Sequence, residues 1–301
     1  MILKHRTESN ELLTLRSLNW RSELSEKDKG YYINLERGYE GEVKFDELIE
    51  DLKEEHYIIN DLLLEVNHSL FQIDSVIISQ RMINLVDVKN FQGDYYLDSD
   101  NLYTVLTKRE YKNPVIQLKR SHSLFRQLLQ SLRLHYLIDA TIIFINPEFT
   151  LYQAPIDQPL ILPTQVNKFI KNLNETPSQL NDGHKQLAQK LMTLHLPKNP
   201  YSSLPKYNYE QLRKGILCKK CLLNSITVDG NKCICQECGF VEPLTSAVLR
   251  SVDEFKLLFP DKKITTTNIF DWCKVVSKER IGKILRANFN IVGSHQWAYY
   301  E

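Results

Sequence analysis

The sequence contains no apolar run long enough for a membrane span. None of its 301 residues lies in a stretch approaching the roughly 18 consecutive apolar residues such a helix needs, and the opening MILKHRTESNELL lacks the apolar core of a secretory signal. No membrane partner is expected, and a cytoplasmic location is. Glycine is scarce, ten residues in all, and no G-x-x-x-x-G-K-[ST] occurs, which excludes a phosphate-cradling P-loop. Internal repeats and low-complexity tracts are absent as well, which excludes repeat architectures. Cysteine is confined almost wholly to one segment, with five of the six inside residues 218–238. In a reducing compartment such a cluster reads as metal ligands rather than as a disulfide framework.

What is present fits a globular chain: 43% hydrophobic residues, 25% charged, 15 Tyr and 12 Phe. The length exceeds what a single core normally fills, so more than one domain is expected. The net charge of +1 conceals a gradient, because residues 207–301 carry 14 Lys and Arg against 10 Asp and Glu, and residues 1–206 carry 24 against 27. A basic tail suits a polyanion without requiring one. Eight of the eleven prolines fall between Pro147 and Pro205, and PKNPYSSLPKY has no helix or strand period. The expected division is therefore a domain over residues 1–196, a linker over 197–212, a zinc ribbon over 213–245 and a helical domain over 246–301.

Within the first domain, a helical region runs to about Leu52. Strand candidates follow at DSVIIS, INLVDVKN, GDYYLD and LYTVLT, then a helix from about Pro114 to Leu134 and the apolar strand ATIIFIN. This order predicts an α/β fold with a sheet flanked by helices.

One strand carries charge where burial is expected. Alternation in INLVDVKN puts Leu85, Asp87 and Lys89 on one face and Val86 and Val88 on the other, so the acid and the lysine point together. An isolated D-x-K is ordinarily a structural ion pair at a strand end. Its neighbours suggest more: FQIDSVIIS aligns Asp74 with Val76 and Ile78, and the short connection SQRM makes the two runs a hairpin. In the preceding helix, Glu42, Phe45 and Ile49 recur at i, i+3 and i+7, so Glu42 shares the apolar face while Glu40 does not. Three carboxylates and a lysine at the lip of a sheet suit one or two hard divalent cations, Mg²⁺ or Mn²⁺, with the Val88 carbonyl as a further oxygen. Such an ion lowers the pKa of bound water and neutralises a phosphorane-like transition state, the chemistry of phosphodiester hydrolysis.

GYEGE (38–42), IDSVII (73–78), VDVKNFQG (86–93) and NPVIQ (113–117) together resemble, in order and approximate spacing, the nuclease-related domain NERD of the PD-(D/E)xK nuclease superfamily, over roughly residues 30–175. The resemblance implies a restriction-endonuclease-like fold, metal-binding roles for Glu42, Asp74 and Asp87, a catalytic role for Lys89, and a match of Gln117 to a motif glutamine. On its own residues Gln117 reads equally well as surface. Many relatives carry Glu where this chain has Asp87, and His where it has Ser75.

From Lys108 to Arg133 there are seven Lys and Arg and one acid, so Lys119, Arg120 and Arg126 are candidate phosphate contacts, or else a solvated helix face. CKKC (218–221) and CQEC (235–238), with 13 residues between, predict a tetrahedral Zn²⁺ site of Cys218, Cys221, Cys235 and Cys238. Four thiolates leave no open position, so that zinc is structural, and two such pairs at ribbon spacing argue against a redox dithiol. SVDEFKLLF, TTTNIFDWCKVV, SKERIGKILRANF and SHQWAYY read as three helices and a strand, with Lys283 and Arg286 opposite an apolar stripe. This is a helix-turn-helix with a wing, or a plain three-helix bundle. The combined expectation is a metal-dependent DNA nuclease, with a non-catalytic DNA-binding protein as alternative. RNA as ligand, a homo-oligomer and a partner protein stay open.

Overall fold

Aliphatic and β-branched residues crowd YIINDLLLEV, SLFQIDSVII and MINLVDVK, and side chains of that shape favour pleated, buried backbone. The computed structural model describes residues 1–98, 101–197, 204–294 and 298–301. In chain order the elements begin with β1 (Ile2–Lys4), α1 (Asn10–Arg21), α2 (Glu26–Ile49), β2 (Tyr57–Val66), β3 (Ser69–Ile78), β4 (Met82–Lys89), β5 (Gly93–Asp98), β6 (Asn101–Thr104) and β7 (Glu110–Lys112). They continue with α3 (Pro114–Ser131), β8 (Leu137–Phe144), β9 (Phe149–Tyr152), β10 (Leu160–Ile161), α4 (Val166–Glu175) and α5 (Asp182–Leu194). The last are β11 (Ile226–Asp229), β12 (Lys232–Cys235), β13 (Val241–Pro243), α6 (Leu244–Leu258), α7 (Thr266–Cys273), α8 (Lys278–Asn288), β14 (Ile291–Val292) and β15 (Tyr299–Tyr300). Among the described residues no helix is long and apolar enough to cross a membrane.

Two compact units result: Met1–Glu8 with Asn34–Ser202, and Ser9–Ile33 with Ser203–Glu301. The first holds a six-stranded mixed sheet in the order β1-β2-β3-β4-β8-β10. Strands β2, β3 and β4 are antiparallel neighbours, while β4, β8 and β10 run parallel. Phe45 and Ile49 of α2 and Val166 of α4 pack with Ile77, Val86 and Val88 on one face. Phe125 and Leu128 of α3 and Leu187 of α5 pack with Val76, Ile78 and Leu85 on the other. A mixed sheet flanked by helices is the α/β architecture expected, and it is consistent with a nuclease-like fold.

GDYYLD and LYTVLT do not extend this sheet. They form β5 and β6 of a second, four-stranded sheet, β7-β6-β5-β9, which buries Tyr95, Leu102 and Leu151 against Phe144 and Leu118. The short β1 also went unread, since three residues leave no period.

The second unit departs further from the expected division. Residues 9–33 group with the C-terminal segment because Leu18 shares one apolar cluster with Phe255 and Trp272. The ribbon and the helices share that cluster too: Ile226 and Cys233 pack in it alongside Leu244 and Leu285, so no boundary in the core separates residues 213–245 from 246–301. Helix α6 starts at Leu244, directly after β13, and not at SVDEF. Of the expected linker, residues 198–203 lie outside the described residues, and Leu212 is buried in this core. Of the final strand, His295, Gln296 and Trp297 lie outside them, and Tyr299–Tyr300 pairs with β14.

Arg21 is the polar centre of this unit. Its side chain is 0% exposed, lies 4.1 Å from the centre of the Trp272 ring, and donates to Glu254 through Nε at 2.8 Å and Nη2 at 2.5 Å. It also donates to the carbonyls of Arg213 and Gly215. Removing one partner of a buried pair strands the other, so Arg21→Ala is expected to lose roughly 3–5 kcal/mol in urea unfolding of the zinc-loaded chain. A loss under about 1 kcal/mol would assign Arg21 no more than the weight of a surface ion pair.

Candidate functional site

Register brings the two strand acids together. Ser75 pairs with Val86 and Val76 with Leu85, so Asp74 and Asp87 come opposite one another on the face shared with Leu85. The β3–β4 pairing ends there, and the amide of Val88 donates instead to Asp74 Oδ2 at 2.8 Å. Each of the two acids is 9% exposed. Lys89 Nζ lies 2.8 Å from Asp87 Oδ2, yet this buried oxygen accepts no hydrogen bond of good geometry.

Glu42 arrives from α2, across the sheet. Gly41 lets the helix close on the end of β4: a Cβ there would meet the Asn90 Cβ at 2.5 Å. A residue that sequence reasoning missed then fixes the acid. Arg6, 3% exposed, donates from Nη1 to Glu42 Oε2 at 2.7 Å, and holds both oxygens of Asp46 through Nε at 2.9 Å and Nη2 at 3.1 Å. Its Nη2 also reaches the Asp74 carbonyl at 2.8 Å and Ser75 Oγ at 3.2 Å. Ser75 in turn donates to Asn60 Oδ1. Asp46 follows Glu42 at i+4, a spacing legible in the sequence. Arg6 carries no local signal.

Four acids, Glu42, Asp46, Asp74 and Asp87, thus share a buried patch with two cations, Arg6 and Lys89. Burial first, then Asp74, pushes Glu42 up to about 8 against the pull of Arg6. Burial and Asp74 likewise push Asp87 up to about 6 against Lys89. Burial acts to lower Lys89, but the surrounding acids prevail and raise it. Four acids against two cations is an excess of negative charge that fits a hard divalent cation bound through oxygen. The three carboxylates Glu42, Asp74 and Asp87 are not all within 4.8 Å of one another; among the described residues, only four cysteines form a ligand group that close.

Gln117 is exposed on the first turn of α3. Ser121, one turn further along the same face, lines a small cavity with Asp87 and Leu118. Lys119, Arg120 and Arg126 are exposed on α3, and Arg120 donates to the Leu70 carbonyl. In the second unit Lys283 pairs with Glu279 at 2.8 Å, and Arg286 is exposed. There α7 and α8 are joined by the four residues Lys274 to Ser277.

Cys218, Cys221, Cys235 and Cys238 converge, with Sγ–Sγ separations of 3.6 Å for Cys218–Cys238 and for Cys221–Cys235. A tetrahedron of Zn–S bonds of about 2.3 Å has edges of about 3.8 Å, so the cluster can hold a structural metal such as zinc. The β11–β12 hairpin turns on Gly230 and Asn231, and Gly230 has φ +52°. Cys233 and Cys273 stay outside the cluster, buried in the apolar core.

A mixed sheet with acids and a lysine at one strand end is consistent with a nuclease-like α/β fold. The family model of the nuclease-related domain, NERD, matches residues 37–145, so that stretch is similar to a nuclease-related domain. That span contains Glu42, Asp74, Asp87, Lys89 and Gln117 and is narrower than the resemblance read from motifs. Nothing matches the chain among curated proteins or among solved structures.

Two outcomes follow from this chemistry. The purified chain is expected to carry one zinc, lost on Cys221→Ser together with cooperative unfolding of the second unit; elemental analysis and thermal scans read both. For Glu42, the unfolded chain releases its proton near the ordinary carboxylate value while the folded chain keeps it to about 8. Zinc-loaded protein without Mg²⁺ or Mn²⁺ therefore loses stability as pH rises through that window. Glu42→Gln should flatten the loss, an effect on the order of a few kcal/mol, and an unchanged slope would remove Glu42 as its source.

Proposed function

We propose that the chain is a metal-dependent nuclease that hydrolyses DNA phosphodiester bonds, with the cysteine ribbon and the C-terminal helices serving to engage DNA. One observation carries this reading: inside the stretch matched by the NERD model, Asp74, Asp87 and Lys89 are gathered at the end of a buried strand pair, with Lys89 Nζ 2.8 Å from Asp87 Oδ2. Glu42, Asp74 and Asp87 would hold Mg²⁺ or Mn²⁺, and the Val88 carbonyl would add an oxygen. When bound, the ion supplies a lowered pKa for water and neutralisation of charge on the phosphate.

The remaining work belongs to the protein. Lys89, held in place by Asp87, aligns the attacking water and adds positive charge where the transition state gains negative charge. Asp74 fixes the backbone at Val88 and so the direction of Lys89. Arg6 keeps the Glu42 carboxylate turned toward β3, a positioning role. Gln117 and the exposed cations of α3, Lys119, Arg120 and Arg126, would carry the substrate backbone, and Lys283 and Arg286 would contact phosphate from the second unit.

A second reading, a non-catalytic DNA-binding protein built on the nuclease fold, draws on two observations: Arg6 holds Glu42 and Asp46, and the three ligand candidates are not all within 4.8 Å of one another. Cleavage of linear, circular, single-stranded and branched DNA with Mg²⁺ or Mn²⁺ decides between the two. Asp87→Ala and Lys89→Ala should each reduce cleavage by at least about 10²-fold with fold and zinc content intact. Equal cleavage by all three proteins would sink the site assignment. DNA binding without any cleavage by the native chain would establish the second reading.

A further inference from the structure

Both parallel strands that meet at the Asp87–Lys89 end run on into the second sheet. Strand β4 ends at Lys89 and β5 begins at Gly93, while β8 ends at Phe144 and β9 begins at Phe149. The connections stay paired, with Ile145 N donating to the Lys89 carbonyl and Gly93 N to the Glu148 carbonyl, each at 3.0 Å. Tyr96 lies seven positions after Lys89, so the two are within about 25 Å of one another even at full extension.

The second sheet has one covered face and one open face. Tyr95, Leu102 and Leu151 are in the core, so alternation sends Tyr96, Tyr103 and Tyr152 to the opposite side. Register sets these three in a row, Tyr96 pairing with Tyr103 of β6 on one side and Tyr152 of β9 on the other. The Tyr96 and Tyr103 rings stack at 5.5 Å with planes 24° apart, and Lys108 Nζ sits 4.8 Å from the centre of the Tyr96 ring. Tyr152 is 51% exposed and stacks on no other described ring. Strand alternation and register give this face Asp94, Asp98 and Glu110 against Lys108 and Lys112, so it does not attract phosphate by net charge. Binding there must come through ring stacking, which needs bases that are not already paired.

We propose that Tyr103, Tyr96 and Tyr152 form a stacking platform for the bases of single-stranded DNA, on the strands that lead to the acid–lysine site. Aromatic rings on an open sheet with a cation among them are the means by which proteins hold single strands, each base being stacked irrespective of its identity. The platform deepens the DNA reading above and rests on it. Duplex DNA, with its bases stacked inside and phosphates outside, has little to offer this surface.

The test is fluorescence anisotropy of a labelled dT15 strand with the zinc-loaded Asp87→Ala chain, which removes cleavage from the measurement. Adding Tyr152→Ala or Tyr103→Ala should weaken dT15 binding about 5- to 150-fold, while Tyr152→Phe holds it within about twofold, since the ring and not the hydroxyl does the stacking. Affinity for a 15-base-pair duplex should not change. Unchanged dT15 affinity in both alanine variants, or an equal loss with phenylalanine, would overturn the platform, and tighter binding of U15 than of dT15 would overturn its assignment to DNA. The two readings fail separately. Metal-dependent cleavage by the native chain together with dT15 affinity that ignores the tyrosines counts against the platform alone; tyrosine-dependent dT15 binding by a native chain that never cuts counts against the nuclease alone.

Discussion

The Asp74 carboxylate accepts the Val88 amide at the point where the β3–β4 ladder stops, and the geometry around it follows from that bond. A central strand has neighbours on both sides, and an amide left without one is costly inside a protein. By taking it, Asp74 prolongs the regular path of β4 to Lys89, which keeps Lys89 on the face of Asp87. The same acid offers its carbonyl to Arg6, and Arg6 fixes Glu42 and Asp46 of α2. Helix and sheet are thereby joined through one buried guanidinium, in a patch where acids outnumber bases. Such an arrangement is poorly balanced as a purely structural network, since unpaired buried charge is unfavourable. That imbalance is what distinguishes it from an ordinary ion pair.

How much of this could be read in the sequence depended on period and spacing. The common face of Asp74, Asp87 and Lys89 follows from the twofold repeat of a strand, and the inward turn of Glu42 from the 3.6-residue repeat of a helix. The convergence of four cysteines follows from two C-x-x-C pairs at ribbon spacing. Arg6 was not legible, because it lies after a three-residue strand and owes its role to contacts 36 to 69 residues away. Ser121 was hidden in a helix read only for its charge. The separation of β5 and β6 into their own sheet was equally hidden, since alternation says which residues share a face but not which sheet a strand joins. Boundaries in the second unit were obscured for a related reason: Pro243 looks like a loop but ends β13 directly before α6, and an apolar stripe does not reveal whether the ribbon or another helix covers it.

The ribbon and helices show the difference between a motif and a domain. Four cysteines within residues 218–238 gather into a cluster that can hold a metal, but Ile226 and Cys233 gain their cover from residues of α6 to α8. A hairpin so small has little apolar interior of its own. Sharing a core with three helices and α1 supplies what it lacks, and makes metal binding and helix packing parts of one cooperative unit.

The grouping of α1 with residues more than 200 positions later bears on how the protein is made. On a ribosome adding about 5–20 residues per second, Leu18 and Arg21 emerge some ten to fifty seconds before Glu254, Phe255 and Trp272 exist. During that interval the first sheet can assemble from residues already available, while α1 waits with its apolar stripe and its arginine unburied. Helix α1 is thus made long before the residues that cover it, and a nascent-chain chaperone would meet it before its own core does.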